Sequence, residues 1–195
     1  MKNYSLLISI IAFSSCLNAE TVLSSDKNLF PFKYKPTPQI ELTVSKIKND
    51  IYVTYPNKET RKITTIERKI WNSPNITKDL NFDGYTDLAI VVGVNPRGLN
   101  EYYAIFLWDN KKQVLKESGG IVNPSIEKEY LVENSLATDS MCENNEAICA
   151  YKTRYKWEGN QLITHSSFTP LKNNKTKISF YKDEVIVKTV VVPHK

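Results

Sequence analysis

The residues from Asp79 to Asp87, DLNFDGYTD, carry the clearest chemistry in this sequence. Calcium takes roughly six to eight oxygen ligands, and a tight turn lets alternate side chains point at one ion. Gly84 permits the sharp bend that a residue with a Cβ would resist. We therefore predict a calcium-binding loop over residues 79–87. The expected ligands are the side chains of Asp79, Asn81, Asp83 and Asp87 and the backbone carbonyl of Tyr85.

Two other structures would explain parts of this motif. A turn in which Asp and Asn side chains cap their own backbone accounts for one or two acids and a glycine, but not for four oxygen side chains at this spacing. An EF-hand needs a glutamate at the twelfth loop position, which is Ile90 in this chain. The short apolar run at residues 88–93 is rich in β-branched residues and predicts a buried strand after the loop.

The first 19 residues have the pattern of a secretion signal. Lys2 precedes a short apolar core at residues 6–13, and Ala19 offers a cleavage site before Glu20. An alternative is a bacterial lipoprotein site at residues 13–16, with Cys16 becoming the lipidated first residue. Phe at its first position is a poor match, so cleavage before Glu20 is favoured. We expect an exported, periplasmic protein with no transmembrane segment, anchored to the membrane only if Cys16 is lipidated.

The two cysteines of the mature chain, Cys142 and Cys149, are an even pair separated by a polar loop. An oxidising compartment favours a disulfide between them. Zinc would need further ligands nearby, and a redox pair would have Cys-x-x-Cys spacing. The sequence therefore predicts a small disulfide ring.

Turn signals recur about every ten residues and no long helical period is present. We expect an irregular leader over residues 20–38 and a single β domain over residues 39–195. The fold class predicted is all-β, propeller-like or sandwich-like, with short antiparallel hairpins and little helix. The predicted strands are residues 40–44, 51–55, 61–66, 88–92, 101–108, 113–115, 151–157, 161–168, 177–181 and 185–192.

The charge distribution and the lack of a catalytic motif exclude some classes of function. The net charge is +5, but Lys and Arg are spread along the chain, so no nucleic-acid or membrane patch is indicated. Of the two histidines, His165 lies within a predicted strand and His194 next to the C-terminus, and no nucleophile elbow is present. We therefore expect a binding protein and not an enzyme. Surface loops at residues 95–99 and 142–149 are the favoured contact regions.

Four stretches together resemble a known group of small, exported, calcium-binding, β-propeller-like bacterial proteins. They are the loop itself, residues 102–109 (YYAIFLWD), residues 123–126 (NPSI) and the hairpin at residues 155–162. The resemblance covers roughly residues 60–170. The loop of that group is related to the FG-GAP loop of integrin propellers.

Some members of the group are immunity proteins or inhibitors of lysozyme-like, peptidoglycan-cleaving toxins delivered by secretion systems. The resemblance implies the same five calcium ligands and a cell-wall hydrolase or toxin as partner. Several lysozyme inhibitors use a Ser-Gly loop beside a Tyr. This chain has Ser118-Gly119-Gly120 without an adjacent Tyr and departs from that pattern. The alternative function is a calcium-dependent surface or adhesion module that binds glycans or proteins.

Overall fold

The computed structural model describes residues 30–66, 74–96, 98–138, 142 and 148–193, and within these ranges it contains strands but no helix. The strands are β1 (Phe32–Thr37), β2 (Ile40–Ile47), β3 (Asp50–Thr54), β4 (Thr60–Thr65), β5 (Ile76–Lys78), β6 (Asp87–Val94), β7 (Glu101–Asp109), β8 (Val114–Val122), β9 (Pro124–Glu127), β10 (Tyr130–Thr138), β11 (Ile148–Glu158), β12 (Gln161–Leu171), β13 (Lys175–Lys182) and β14 (Val185–Pro193).

The strands form three antiparallel sheets. Sheet A has the order β1-β2-β3-β4 and sheet B the order β5-β6-β7-β8. Sheet C has six strands in the order β14-β13-β12-β11-β10-β9. Neighbours in space are neighbours in sequence, as expected when short turns connect antiparallel strands. The all-β prediction is confirmed, and the sheets are arranged like a sandwich rather than a closed barrel.

Sheet B is the middle layer, because its two faces belong to two separate cores. Leu88 and Ile90 of β6 pack in one cluster with residues of sheet A. Ala89 and Val91, on the opposite face of the same strand, pack in a second cluster with Leu131 of sheet C. Side chains alternate between the faces of a strand, so a strand covered on both sides must be apolar throughout. This explains the unbroken apolar run that predicted a buried strand.

The irregular leader predicted for residues 20–38 is wrong from Phe32 onward, where β1 begins. Three prolines argued against a strand here. However, β1 is the outer strand of sheet A, and Pro36 falls where the β1–β2 register shifts. An edge strand tolerates a residue that cannot donate to the ladder.

Several predictions concern residues outside the described ranges. They are the signal peptide at residues 1–19, the lipidation of Cys16 and the placement of His194. In the described part of the chain, no helix is long and apolar enough to cross a membrane.

Candidate metal loop and interface loops

The predicted calcium loop joins β5 to β6, so it leads from a three-residue strand into the central strand of the core. Gly84 has a φ of 88° and Phe82 a φ of 62°, both in the left-handed region. Gly84 adopts this backbone at little cost because it has no Cβ. The sequence prediction of a tight turn followed by a buried strand is confirmed.

The loop folds inward on its own side chains. The two carboxylate oxygens of Asp79 accept hydrogen bonds from the backbone N–H of Asp83 at 3.1 Å and of Gly84 at 2.9 Å. Asp83 accepts from the N–H of Tyr85 at 3.0 Å and from the Asn81 amide at 2.9 Å. These are the caps expected of an Asx turn. They hold Asp79, Asn81 and Asp83 together in one hydrogen-bonded turn.

Asp87 has a different role, because it is completely buried. One of its oxygens accepts from the backbone N–H of Trp108 at 2.9 Å. The other accepts from the N–H of Leu80 at 2.9 Å and of Asn81 at 3.3 Å. Burial raises the pKa of Asp87 to about 6, partly opposed by these hydrogen bonds. Asp87 therefore joins the start of the loop to β7.

The donor set matches the chemistry of calcium, which binds carboxylate, amide and carbonyl oxygens. Each bonded oxygen of Asp79 and Asp83 takes one hydrogen bond, and a carboxylate oxygen has about two acceptor positions. No salt bridge pairs the loop carboxylates with a Lys or Arg among the described residues. Over the same ranges, no group of three or more His, Cys, Asp or Glu side chains stands in a metal-binding arrangement. The role of all five residues as ligands stays a prediction.

Two contacts that were not predicted hold the loop between the outer sheets. The hydroxyl of Tyr34, on β1, donates to the carbonyl of Thr86, whose N–H donates to the Pro36 carbonyl at 3.0 Å. From sheet C, the indole N–H of Trp157 donates to the carbonyl of Leu80 at 2.7 Å. Both contacts join residues distant in sequence, so local patterns could not reveal them.

At the opposite end of β6, the predicted interface loop at residues 95–99 closes on itself. The side chain of Asn95 accepts from the N–H of Leu99 at 2.8 Å. Asn100 then pairs with the backbone of Leu136 on β10. Its amide donates to the Leu136 carbonyl at 2.9 Å and its oxygen accepts from the Leu136 N–H at 2.8 Å. Asn100 therefore fixes this loop to the end of β10.

The predicted disulfide between Cys142 and Cys149 is present, with Cα atoms 5.7 Å apart. Both cysteines are buried. Cys149 pairs across the sheet with Ala137, the residue after the Leu136 that Asn100 binds. The start of the disulfide ring and the loop at residues 95–99 therefore lie at the same end of the molecule. Residues 143–147 within the ring lie outside the described ranges.

The candidate metal loop at residues 79–87 and the candidate interface loop at residues 95–99 are separated by the whole of β6. This strand has eight residues, and at about 3.3 Å per residue it spans roughly 26 Å. The sequence placed both features in one domain but did not predict that they lie at opposite ends.

Two further candidate residues, Ser118 and His165, contact other residues of the chain. Ser118 lies in β8 and donates to the carbonyl of Asn160 at 2.6 Å, so Ser118-Gly119-Gly120 is part of a strand and not an exposed loop. His165 lies between the rings of Tyr130, 4.8 Å away, and Phe180, 6.2 Å away. Burial and the nearby Lys156 lower its pKa.

No protein-family model matches the sequence, and no curated protein matches it. Among solved structures, the chain is similar to one described as a Xanthomonas Type IV Secretion System related protein. The TM-score is 0.50 at 18% sequence identity, and the match covers 82% of this chain and 85% of that chain. At this identity the similarity concerns the fold, which by itself does not carry a function.

Proposed function

We propose that this chain is an exported, periplasmic binding protein that inhibits a peptidoglycan-cleaving, lysozyme-like enzyme or toxin. It would act as an immunity protein and would not itself be an enzyme. The contact surface would be the end of the molecule where the loop at residues 95–99 meets the Cys142–Cys149 ring. The observation that carries the proposal is that Asn100, next to the first loop, binds Leu136, while the adjacent Ala137 pairs with Cys149 of the ring.

Pre-ordering of this surface supports the proposal. A loop that is held in place before binding loses less conformational entropy when it enters a cleft. Asn100 binds Leu136 with two hydrogen bonds, and Asn123 joins the same network through the Asn134 carbonyl at 2.9 Å. The disulfide closes the neighbouring loop over a separation of seven residues. The loop at residues 95–99 and the two ends of the disulfide ring are therefore fixed to the same end of sheet C.

Export is supported by two observations besides the predicted signal peptide. Disulfides persist in oxidising compartments such as the bacterial periplasm, and this chain forms one. The structure with the similar fold is described as secretion-system related, which agrees with a role beside a secreted toxin.

Calcium would act at the other end of the molecule. Asp79, Asn81 and Asp83, with the Tyr85 carbonyl and Asp87, would hold the ion, which would offset the repulsion between the loop carboxylates. Because Asp87 joins the loop to β7, the ion would stabilise the end of sheet B that faces away from the interface loops. Its contribution to inhibition would be through stability and not through direct contact.

The test is inhibition of peptidoglycan hydrolysis by the purified mature protein, measured as clearing of a cell-wall suspension. The enzymes would be lysozyme and a panel of bacterial peptidoglycan hydrolases, with calcium present. Asn100→Ala should weaken inhibition about ten-fold, because it removes the two bonds that position the loop. The double variant Cys142→Ser/Cys149→Ser should also weaken inhibition.

Asn110→Ala is the matched control. It removes the same side chain at the calcium end, where the Asn110 amide donates to the Tyr85 hydroxyl at 3.0 Å. Inhibition should remain at the wild-type level. Absence of inhibition across the panel would overturn the proposal, and so would equal losses from the two asparagine variants.

A further inference from the structure

The last strand, β14, presents an unusual edge. It is the outermost strand of sheet C and pairs only with β13 among the described strands. A long, apolar and exposed edge invites pairing with another chain, and natural proteins normally blunt such edges. Here the apolar side chains remain exposed: Val185 by 62%, Ile186 by 54%, Val187 by 61%, Val191 by 52% and Val192 by 36%.

These side chains lie on both faces of the sheet. Ile186 stands opposite Tyr181, while Val192 stands opposite Thr176 on the other face. Neither of the two hydrophobic cores includes a residue of β13 or β14. The apolar character of β14 therefore does not serve the described core of this molecule. Exposed apolar surface of this extent is typical of an interaction site.

The charge around this edge indicates the chemistry of the partner. Four lysines lie on β13 and β14, and none forms a salt bridge with a described carboxylate. They are Lys175, Lys177, Lys182 and Lys188. The acids of this hairpin, Asp183 and Glu184, lie at its turn, and Glu184 is bound to the N–H of Thr164 at 3.2 Å. Lys188 lies on β14 itself and the other three lysines lie on the neighbouring strand β13, so these two strands carry positive charge next to the open edge.

Two kinds of chain could pair with the open edge of β14: a second copy of this protein or a segment of another protein. The charge of the edge favours the second. A second copy would bring the same lysines to the shared edge of a chain whose net charge is already +5. An acidic segment would neutralise them. Its alternating apolar residues would all lie on one face of the added strand and would cover the valines on that face. Addition of a strand to an open edge is a known mode of peptide recognition, in which backbone hydrogen bonds supply much of the affinity.

We propose that β14 is a docking edge for an extended segment of another protein, with alternating acidic and apolar residues, which adds to sheet C as a further strand. This site is separate from the loops assigned to inhibition and does not depend on that assignment. Binding there would leave the loop at residues 95–99 unchanged.

The test uses two labelled peptides of nine residues, the length of β14. One alternates glutamate with valine, and the other alternates lysine with valine. Binding to the mature protein would be followed by fluorescence anisotropy. The acidic peptide should bind at least about ten-fold more tightly than the basic one, and added salt should weaken it. Hydrogen exchange should show new protection of β14 amides in the complex.

Variants locate the site. Val191→Glu should abolish binding of the acidic peptide, and Lys188→Glu should weaken it several-fold. Ile47→Glu is the matched control, because Ile47 is 60% exposed but lies at the end of β2 in sheet A. It should leave the affinity unchanged. All three positions are exposed, so the variants should keep the wild-type melting temperature to within a few degrees.

Three outcomes would overturn the proposal. One is that neither peptide binds, and another is that both bind equally well. The third is a concentration-dependent dimer in sedimentation that Val191→Glu abolishes, which would make a second copy the occupant of the edge.

Discussion

The strands β6 and β14 are similar in composition and opposite in burial. Both are rich in Val and Ile, and both are eight or nine residues long. All but one residue of β6 is buried, whereas all but one residue of β14 is exposed. The difference lies in what surrounds them. β6 has neighbours on both edges and a sheet against each face, whereas β14 pairs only with β13 among the described strands.

The comparison shows that two strands of similar apolar composition can have different structural roles in one protein. In β6 the apolar residues connect two cores and follow directly after the loop at residues 79–87. In β14 they belong to neither core and stay exposed. Burial of apolar surface is favourable in both cases. The apolar surface of β6 is buried when the chain folds, whereas that of β14 would be buried only on association with a partner.

The largest expected effect is at Asp87. Asp87→Ala leaves three backbone N–H groups without an acceptor, at Leu80, Asn81 and Trp108. Two of these bonds are buried, so the free energy of unfolding should fall by about 3–5 kcal/mol. Urea denaturation without calcium measures it. Asp83→Ala is the control, because Asp83 is exposed and its loss should cost less than about 1 kcal/mol. If both variants lost the same free energy of unfolding, Asp87 would have no greater structural role than Asp83.

A matched pair of isoleucines tests the comparison directly. Ile90→Ala creates a cavity at a fully buried position of β6 and should destabilise by about 3 kcal/mol. Ile186→Ala, at a position 54% exposed on β14, should cost less than about 0.5 kcal/mol. The measurement is again urea denaturation. A comparable loss at Ile186 would mean that β14 contributes to the stability of the folded chain.

Calcium should act on one of the two regions only. Extracellular calcium modules bind at about 10⁻⁴–10⁻³ M, so 10 mM calcium should raise the free energy of unfolding by about 1–3 kcal/mol. Asp83→Ala should lose this gain. Hydrogen exchange should show added protection over residues 79–90 but not over residues 185–193. No change in stability would leave residues 79–87 as a turn capped by its own side chains.

The smallest effect concerns the outer face of sheet C. Hydrogen bonds from Lys152 and Arg154 hold the pKa of Glu127 below its usual value. A lowered folded-state pKa stabilises the protein above the ordinary glutamate pKa of 4.5, and this stability is lost as the pH falls below it. Glu127→Gln should cost about 0.5–1 kcal/mol at pH 7 and flatten the decline in stability below about pH 4.5. A slope identical to that of the wild type would show that the ion pairs contribute nothing.

Much of the fold could be predicted because its signals are local. Alternation and turn residues identified the hairpins β2–β3, β11–β12 and β13–β14 with bounds close to those observed. The disulfide followed from the parity and spacing of two cysteines. The strand β1 was missed because Pro31, Pro36 and Pro38 suppress the strand signal, and an edge position that tolerates proline is not visible in the sequence.

The candidate site could be predicted only in part. The spacing of Asp79, Asn81 and Asp83 with Gly84 predicted a tight loop, which is present, and the calcium role of that loop stays a prediction. The Trp157–Leu80 contact joins residues far apart in the chain, and no periodicity encodes it. The same holds for the bonds between Asn100 and Leu136, which fix the loop at residues 95–99 to the end of β10.

By itself the sequence determined the all-β class, most strands, the tight turn at residues 79–87 and the disulfide, since each depends on interactions between residues near one another in the chain. Tertiary structure alone decided that Asp87 is a buried link between the loop and β7. It also decided that the predicted metal loop lies at the end of the molecule opposite to residues 95–99 and to the disulfide. Finally, it decided which of two similar apolar strands lies between two sheets and which lies at an edge, because burial depends on what packs against a strand and not on the residues of that strand alone.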